Sequence, residues 1–146
     1  MSFMDIRFKL LGNGLKAEQS TEGSAGLDLK ATLSAPLTIA PNASALVPTG
    51  IAIELPKGYC GLLCSRSGLA AKHNIFVLNA PGVIDSDYRG EIKVILFNAS
   101  SEEFIVSHGM RIAQILFVSY EIPHWIPANE LSSTLRDSKG FGSTGI

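Results

Sequence analysis

Two carboxylates stand two positions apart in Asp85-Ser86-Asp87-Tyr88-Arg89-Gly90, shortly after Pro81-Gly82. A carboxylate in such a turn can take a proton from water, and a pair can hold a cation. The same residues also suit an ordinary hairpin turn in which Ser86 and Asp87 bond to nearby backbone, with Tyr88 as a core residue or a pocket wall. Ser65-Arg66-Ser67-Gly68 offers two hydroxyls, a guanidinium and the free amides of a helix start, a set that fits phosphate. It reads equally as a Ser-capped helix start with a surface arginine. Gln114 shares a strand face with Met110, Ile112 and Leu116, where its amide needs a partner, either backbone or ligand. The tail Gly140-Phe141-Gly142-Ser143-Thr144-Gly145 could wrap phosphates with its amides while Phe141 stacks on a flat ring, or it could be a loose end. It is not a P-loop, because the Gly-Lys-Ser/Thr ending is missing. His73, His108 and His124 lack metal-ligand spacing and read as structural or surface residues. Cys60 and Cys64, four apart on a strand, sit roughly 13 Å apart, too far for a disulfide. They read as two small buried thiols in a reducing interior.

The elements that must position these groups are short strands. Ile6, Phe8 and Leu10 alternate with Arg7 and Lys9. Further runs cover Leu27 to Leu29, Ile51 to Leu55, Tyr59 to Cys64, Ile75 to Leu78, Glu91 to Phe97, Phe104 to Val106 and Ile112 to Tyr120. Pro36, Pro41-Asn42, Pro48, Pro56-Lys57-Gly58, Pro81-Gly82, Arg89-Gly90 and His108-Gly109 punctuate them. Such regular spacing predicts an all-β sandwich, jelly roll or barrel. Only Gly68 to His73 looks helical. From Asn129 onward the apolar residues thin out to Leu131, Leu135, Phe141 and Ile146, and the glycine-rich end is costly to order. Residues 1–128 therefore read as one domain and 129–146 as an arm.

Composition limits the functions available. The chain has 146 residues, with 46% hydrophobic, 17% charged and a formal net charge of −1; its mean hydropathy is +0.25. This is one domain with material for a core. Disorder and non-specific nucleic-acid binding are both disfavoured. No apolar run approaches the ~18 residues of a membrane span. The N-terminus does not read as a secretory signal, so an intracellular, cytoplasmic chain is expected.

Taken in order, Ala25-Gly26-Leu27-Asp28-Leu29, Ser65 to Leu69, Asn79 to Gly90, Gly109 to Gln114 and Gly140 to Gly145 resemble the five motifs of the trimeric dUTPases. The likeness runs from residue 25 to the C-terminus. It implies a distorted jelly-roll or β-clip-like barrel with one short helix and a flexible C-terminal arm, assembled as a homotrimer with sites at the subunit interfaces. The implied reaction is Mg²⁺-dependent hydrolysis of dUTP to dUMP and pyrophosphate, which keeps uracil out of DNA and supplies dUMP for dTMP synthesis. By the same resemblance Asp85 holds and activates the attacking water. Asn79 reads uracil, with the hairpin backbone at Val83 and Ile84. Tyr88 lies under the deoxyribose and leaves no room for a 2′-hydroxyl. Ser67, Gly68 and Gln114 are phosphate ligands from a neighbouring subunit, and Arg66 binds phosphate or braces the site. Asp28 belongs to the polar support. Phe141 closes over uracil, and Arg136, Gly142, Ser143 and Thr144 contact nucleotide from the arm. Mg²⁺ is expected on substrate oxygens and water, with no protein ligand.

The fifth motif departs from the family's usual Arg-Gly-x-Gly-Gly-Phe-Gly-Ser-Thr-Gly: Asp137 and Lys139 replace two glycines. A left-handed backbone there would cost a non-glycine residue about 1 kcal/mol or more. Two other readings compete. A dCTP deaminase would need an acidic residue placed to serve the cytosine amine, and none is evident. A non-catalytic β-sandwich binding module would leave Asp85, Tyr88 and the tail without a shared purpose.

Overall fold

Proline, glycine and asparagine cut the chain before any run can grow long, so the elements are brief and their ladders join distant segments. A computed structural model describes residues 3–142. In chain order they form β1 (Arg7–Leu10), β2 (Glu18–Gln19), β3 (Leu27–Lys30), β4 (Leu37–Ile39), β5 (Ser44–Pro48), β6 (Ile51–Glu54), β7 (Tyr59–Cys64), α1 (Ser67–His73), β8 (Ile75–Val77), β9 (Gly82–Ile84), β10 (Lys93–Asn98), β11 (Phe104–Val106) and β12 (Arg111–Ser119). All ladders are antiparallel. A five-stranded sheet runs β2-β3-β12-β7-β9 and a three-stranded sheet runs β5-β10-β8, with two-stranded pairs β1-β6 and β11-β4.

The expectation of an all-β chain with one short helix holds. The expected barrel does not: among the described residues these are open sheets, and no run of ladders closes on itself. The helix begins at Ser67, one residue earlier than expected, and ends where Asn74 turns left-handed at φ 56°. Arg66, not a serine, occupies its N-cap. β1 also differs from its alternating pattern, since all four of its residues are exposed. Among the described residues it pairs only with β6, which leaves its second edge unpaired and the apolar side chains of Phe8 and Leu10 about half exposed.

Alternation in β10 buries Val94 and Leu96, which join Ile39, Val47, Ile75, Val77 and Val106 in one core cluster. A second cluster joins Leu29, Ile51, Ile53, Leu55, Leu63, Ile92 and Ile115. Each such side chain contributes roughly 1.5–3 kcal/mol by leaving water. β12 serves both clusters. A register shift between Arg111 and Ala113 turns Ile112 and Ala113 together into the first, while Ile115 enters the second. The strict alternation assumed for Met110 to Leu116 therefore breaks at this bulge. Cys60 is buried and Cys64 half-buried, both as free thiols. Among the described residues no helix is long and apolar enough to cross a membrane.

Candidate active site

The segment 79–91 carries the single strand β9, laid against β7 and followed by a loop; the expected hairpin is not formed, since β9 pairs with β7 alone and residues 85–91 contain no strand. Gly61 on β7 makes the approach possible: a Cβ there would stand 2.9 Å from Ile115 Cδ1 and 3.3 Å from Ile84 Cβ. With only a hydrogen at that position, β9 pairs closely, Gly61 opposite Ile84 and Leu63 opposite Gly82. Ala80–Pro81 is a cis peptide, and Asn79 lies beside Gly82, its Nδ2 3.1 Å from where a Cβ would be. Beyond β9 the Tyr88 N–H donates to Asp85 O at 3.2 Å. The Tyr88 hydroxyl donates to Glu91 O at 2.9 Å, and its ring occupies the space a side chain on Gly90 would need.

This arrangement leaves an open groove of about 400 Å³ lined by Val83, Ile84, Asp85, Tyr88, Leu46, Glu91, Ile92 and Lys93. Four of the predicted residues thus share one groove, with Asn79 beyond the other end of β9. The Asp85 carboxylate is exposed and makes no hydrogen bond among the described residues, so it is free to bind water or substrate. Ser86 and Asp87 do not bond to nearby backbone through their side chains, as a plain turn would have them do. Arg89 holds the turn instead, donating to Ser86 O and Tyr88 O. Leu46 comes from β5, whose Ser44–Pro48 run carries no chemical signal in the sequence.

A second cluster centres on Asp28, which is only 7% exposed. Arg66 Nε donates to Oδ1 at 2.8 Å and its Nη2 to Oδ2 at 3.4 Å. Arg111 Nη1 donates to Oδ2 at 3.4 Å, and the Ser20 hydroxyl to the same oxygen at 2.7 Å. Burial pushes the Asp28 pKa up, but the Ser20 hydrogen bond, the Arg66 hydrogen bond and the charges of Arg66 and Arg111 outweigh it and hold it below the ordinary value. Two guanidiniums against one carboxylate leave a surplus positive charge suited to phosphate. Ser20 and Arg111 were not singled out from the sequence; Ser20 reaches Asp28 across eight positions through the β2-β3 pairing, which no local pattern reveals.

Gln114 stands opposite Asp28 on one side and Cys64 on the other. Its Nε2 donates to Ser65 O at 3.0 Å, and a Cβ on Gly26 would collide with its Oε1. Backbone therefore answers one donor of this amide, and the second hydrogen on Nε2 is left for a ligand. Ser67 and Gly68 are exposed in the first turn of α1, where no side chain caps the amides. Ser65 is not a cap: its hydroxyl accepts the Val77 N–H at 2.9 Å.

Asp28→Asn tests the cluster's electrostatics. A lowered folded-state pKa contributes stability that is complete above the unfolded pKa of about 4 and is lost as pH falls through the folded value. The variant is therefore expected to be about 2 kcal/mol less stable at pH 7, with the gap to wild type closing below about pH 4. Urea melts at a series of pH values check this. A gap of constant size would mean the ion pairs contribute nothing.

Asp85 and the cluster are not brought together within one copy, although the Asn79 end of the segment lies near Ser65. Asp85 falls level with Cys60 at the start of β7, whereas Ser65 to Gly68 follow its end. Five residues of strand put them roughly 17 Å apart. The described part of the arm, through Gly142, meets neither. After β12 the chain carries no strand or helix through Gly142. Arg136 Nε donates to Lys139 O at 2.9 Å and the Lys139 N–H to Arg136 O at 3.0 Å, forming a turn in which Asp137 is left-handed at φ 48°. Aspartate tolerates that conformation better than most residues. Phe141 is fully exposed, and Ser143 and Thr144 lie outside the described residues.

Among the described residues no three of His, Cys, Asp and Glu converge to hold a metal ion. The donors are cationic or neutral except for the Asp28 carboxylate in the cluster and those of Asp85 and Glu91 in the groove. Such a set fits a divalent ion that arrives on a phosphate chain, bound through phosphate oxygens and water.

A sequence model of one family, described as dUTPase, matches residues 16–145. The deoxyuridine 5'-triphosphate nucleotidohydrolase of Rickettsia massiliae (strain Mtu5) is 50% identical over 148 aligned positions, covering 100% of both chains. That of Orientia tsutsugamushi (strain Ikeda) is 51% identical over 127 positions, covering 87% of this chain and 86% of the other. A solved structure of a dUTPase variant from Staphylococcus bacteriophage 80alpha, with dUpNHpp, superposes with a TM-score of 0.88 at 25% identity, covering 97% and 99% of the two chains.

Proposed function

The chain belongs to the dUTPase family, and from that membership we propose that it hydrolyses dUTP to dUMP and pyrophosphate by in-line attack of water on the α-phosphorus. The observation that carries the reading is the pair of half-sites at opposite ends of β7: an exposed, unpartnered carboxylate in a nucleoside-sized groove, and a cationic, amide-rich cluster. A separation of roughly 17 Å is too great for both to serve one phosphate chain from one copy. The proposed assembly is a homotrimer of jelly-roll subunits. The Asp85 groove of one copy faces Arg66, Ser67, Gly68 and Gln114 of a second, and residues 129–146 act as an arm that crosses to complete the site. Twelve extended residues span roughly 40 Å, enough for that crossing.

Asp85 accepts the proton of the attacking water, for which it must come within about 3 Å. Asn79 and the backbone of Val83 and Ile84 read the edge of uracil. A cytosine there would leave buried groups unpaired, a mismatch worth a factor of ~10⁴ or more. The ring of Tyr88 takes the face of the deoxyribose, and the close β7–β9 pairing excludes the thymine methyl. Arg66 and the amides of Ser67 and Gly68 stabilise charge that grows on the phosphate oxygens. Asp28 keeps the Arg66 guanidinium in one orientation. When bound through substrate oxygens, Mg²⁺ supplies neutralisation of the phosphate chain; no side chain here is assigned as its ligand. The arm brings Arg136 to the phosphates and Phe141 over the base.

Release of pyrophosphate from dUTP, dTTP, dCTP and UTP with Mg²⁺ tests this. Turnover is expected with dUTP alone, the others falling at least ~10³-fold lower. Equal rates on dCTP, or ammonia released from it, would overturn the assignment.

A further inference from the structure

The Asp85 side chain has no hydrogen-bond partner of its own among the described residues, so its placement depends on the backbone that carries it. Between Ile84, where the β7–β9 ladder ends, and Ile92, whose N–H donates to Ile51 O at 2.8 Å, that backbone is tied in few places. Tyr88 N–H closes the turn on Asp85 O, and the Tyr88 hydroxyl reaches Glu91 O. Both of these ties stay inside the loop. Two others leave it, and they reach the two ends of the β6 segment. Glu91 Oε1 accepts the Gly50 N–H at 2.9 Å, just before β6. Arg89 Nη2 lies 3.9 Å from Oε1 of Glu54, the last residue of β6. The other guanidinium nitrogen, Nη1, donates to Ser86 O at 2.7 Å and to Tyr88 O at 3.2 Å. Glu54 is in turn held by Arg7 of β1, at 3.5 Å from its Oε2.

We propose that Arg89 is a positioning residue for Asp85: its guanidinium clamps the two carbonyls of the Asp85–Tyr88 turn and fastens that turn to Glu54. The inference rests on Asp85 acting as the base. Only arginine has a planar set of donors able to serve two carbonyls and a carboxylate at once; a lysine ammonium is a single point of charge. Arg89 and Glu54 are exposed, so losing them changes little of the fold. A carboxylate misplaced by about 1 Å, in contrast, costs up to ~10²-fold in rate.

The test measures kcat, KM and Tm for wild type, Arg89→Ala, Arg89→Lys, Glu54→Gln and the Arg89→Ala/Glu54→Gln double variant, with dUTP and Mg²⁺. Arg89→Ala is expected to lower kcat about 10- to 100-fold with KM within about 3-fold and Tm nearly unchanged. Free guanidinium ion at millimolar concentration should restore part of that kcat, and Arg89→Lys should fall between. Glu54→Gln should lose only a few-fold, and nothing further once Arg89 is gone, because it acts through Arg89. Unchanged kcat in Arg89→Ala overturns the proposal. So does a raised KM with kcat intact, which would put Arg89 on the nucleotide. So does a kcat loss that follows a fall in Tm without guanidinium rescue. A wild-type protein that releases no pyrophosphate from dUTP would instead defeat the reading of the site itself.

Discussion

Asp85→Asn is expected to bind dUTP at least as tightly as wild type and to turn it over about 10³- to 10⁴-fold more slowly, the scale of losing a general base. The geometry makes this a clean experiment. The Asp85 side chain is exposed and bonds to no other described group, so an isosteric amide removes no contact that holds the fold. Removing a negative charge from a groove that must receive a polyphosphate favours binding. Loss of kcat with retained affinity therefore isolates proton transfer. Binding of a non-hydrolysable dUTP analogue by calorimetry, beside single-turnover kinetics, checks both halves. Turnover within tenfold of wild type would require a different base.

Ending the chain after Leu135 is expected to leave Tm and assembly unaltered while lowering kcat/KM by about 10²- to 10³-fold. The described residues beyond that point bond only to the arm itself, through the Arg136–Lys139 turn and the Asp137 N–H on Thr134 Oγ1, so nothing in the core depends on them. Their removal takes away the Arg136 guanidinium and the Phe141 ring. Water is then admitted to the phosphates, and donors that stabilise the developing charge are lost. Thermal melts, sedimentation and steady-state kinetics of the truncated chain decide the matter. Near-normal kinetics would reduce the arm to a bystander.

The strands most legible in the sequence were those whose apolar run sits between clear turn residues: Tyr59–Cys64 and Phe104–Val106 have the expected bounds. Others were hidden by the same punctuation. Gly82–Ile84 lies inside the Pro-Gly turn, and Leu37–Ile39 lies between Pro36 and Pro41, so both resembled connectors although they pair. The bulge before Ala113 shifted the face of β12 by one residue, which a strict period of two cannot anticipate. In the candidate site, the groove residues of the 79–91 segment were readable because they are contiguous, although the hairpin expected there is a single strand and a loop. The Asp28–Arg66 pair was not, since 38 positions separate its members. Leu46 and Ser20 carry no chemical mark until pairing brings them to the groove and to the carboxylate.

The distance set by β7 has a consequence for how such an enzyme lives in a cell. If each chain brings only a fraction of any one catalytic centre, a freshly synthesised copy is inert until it meets its fellows, and activity rises more steeply than protein abundance. Damage is then pooled as well: one defective copy spoils a centre it shares, yet its sound portion still serves the next. On the proposed assembly, selection acts on the assembled population of chains rather than on each molecule alone.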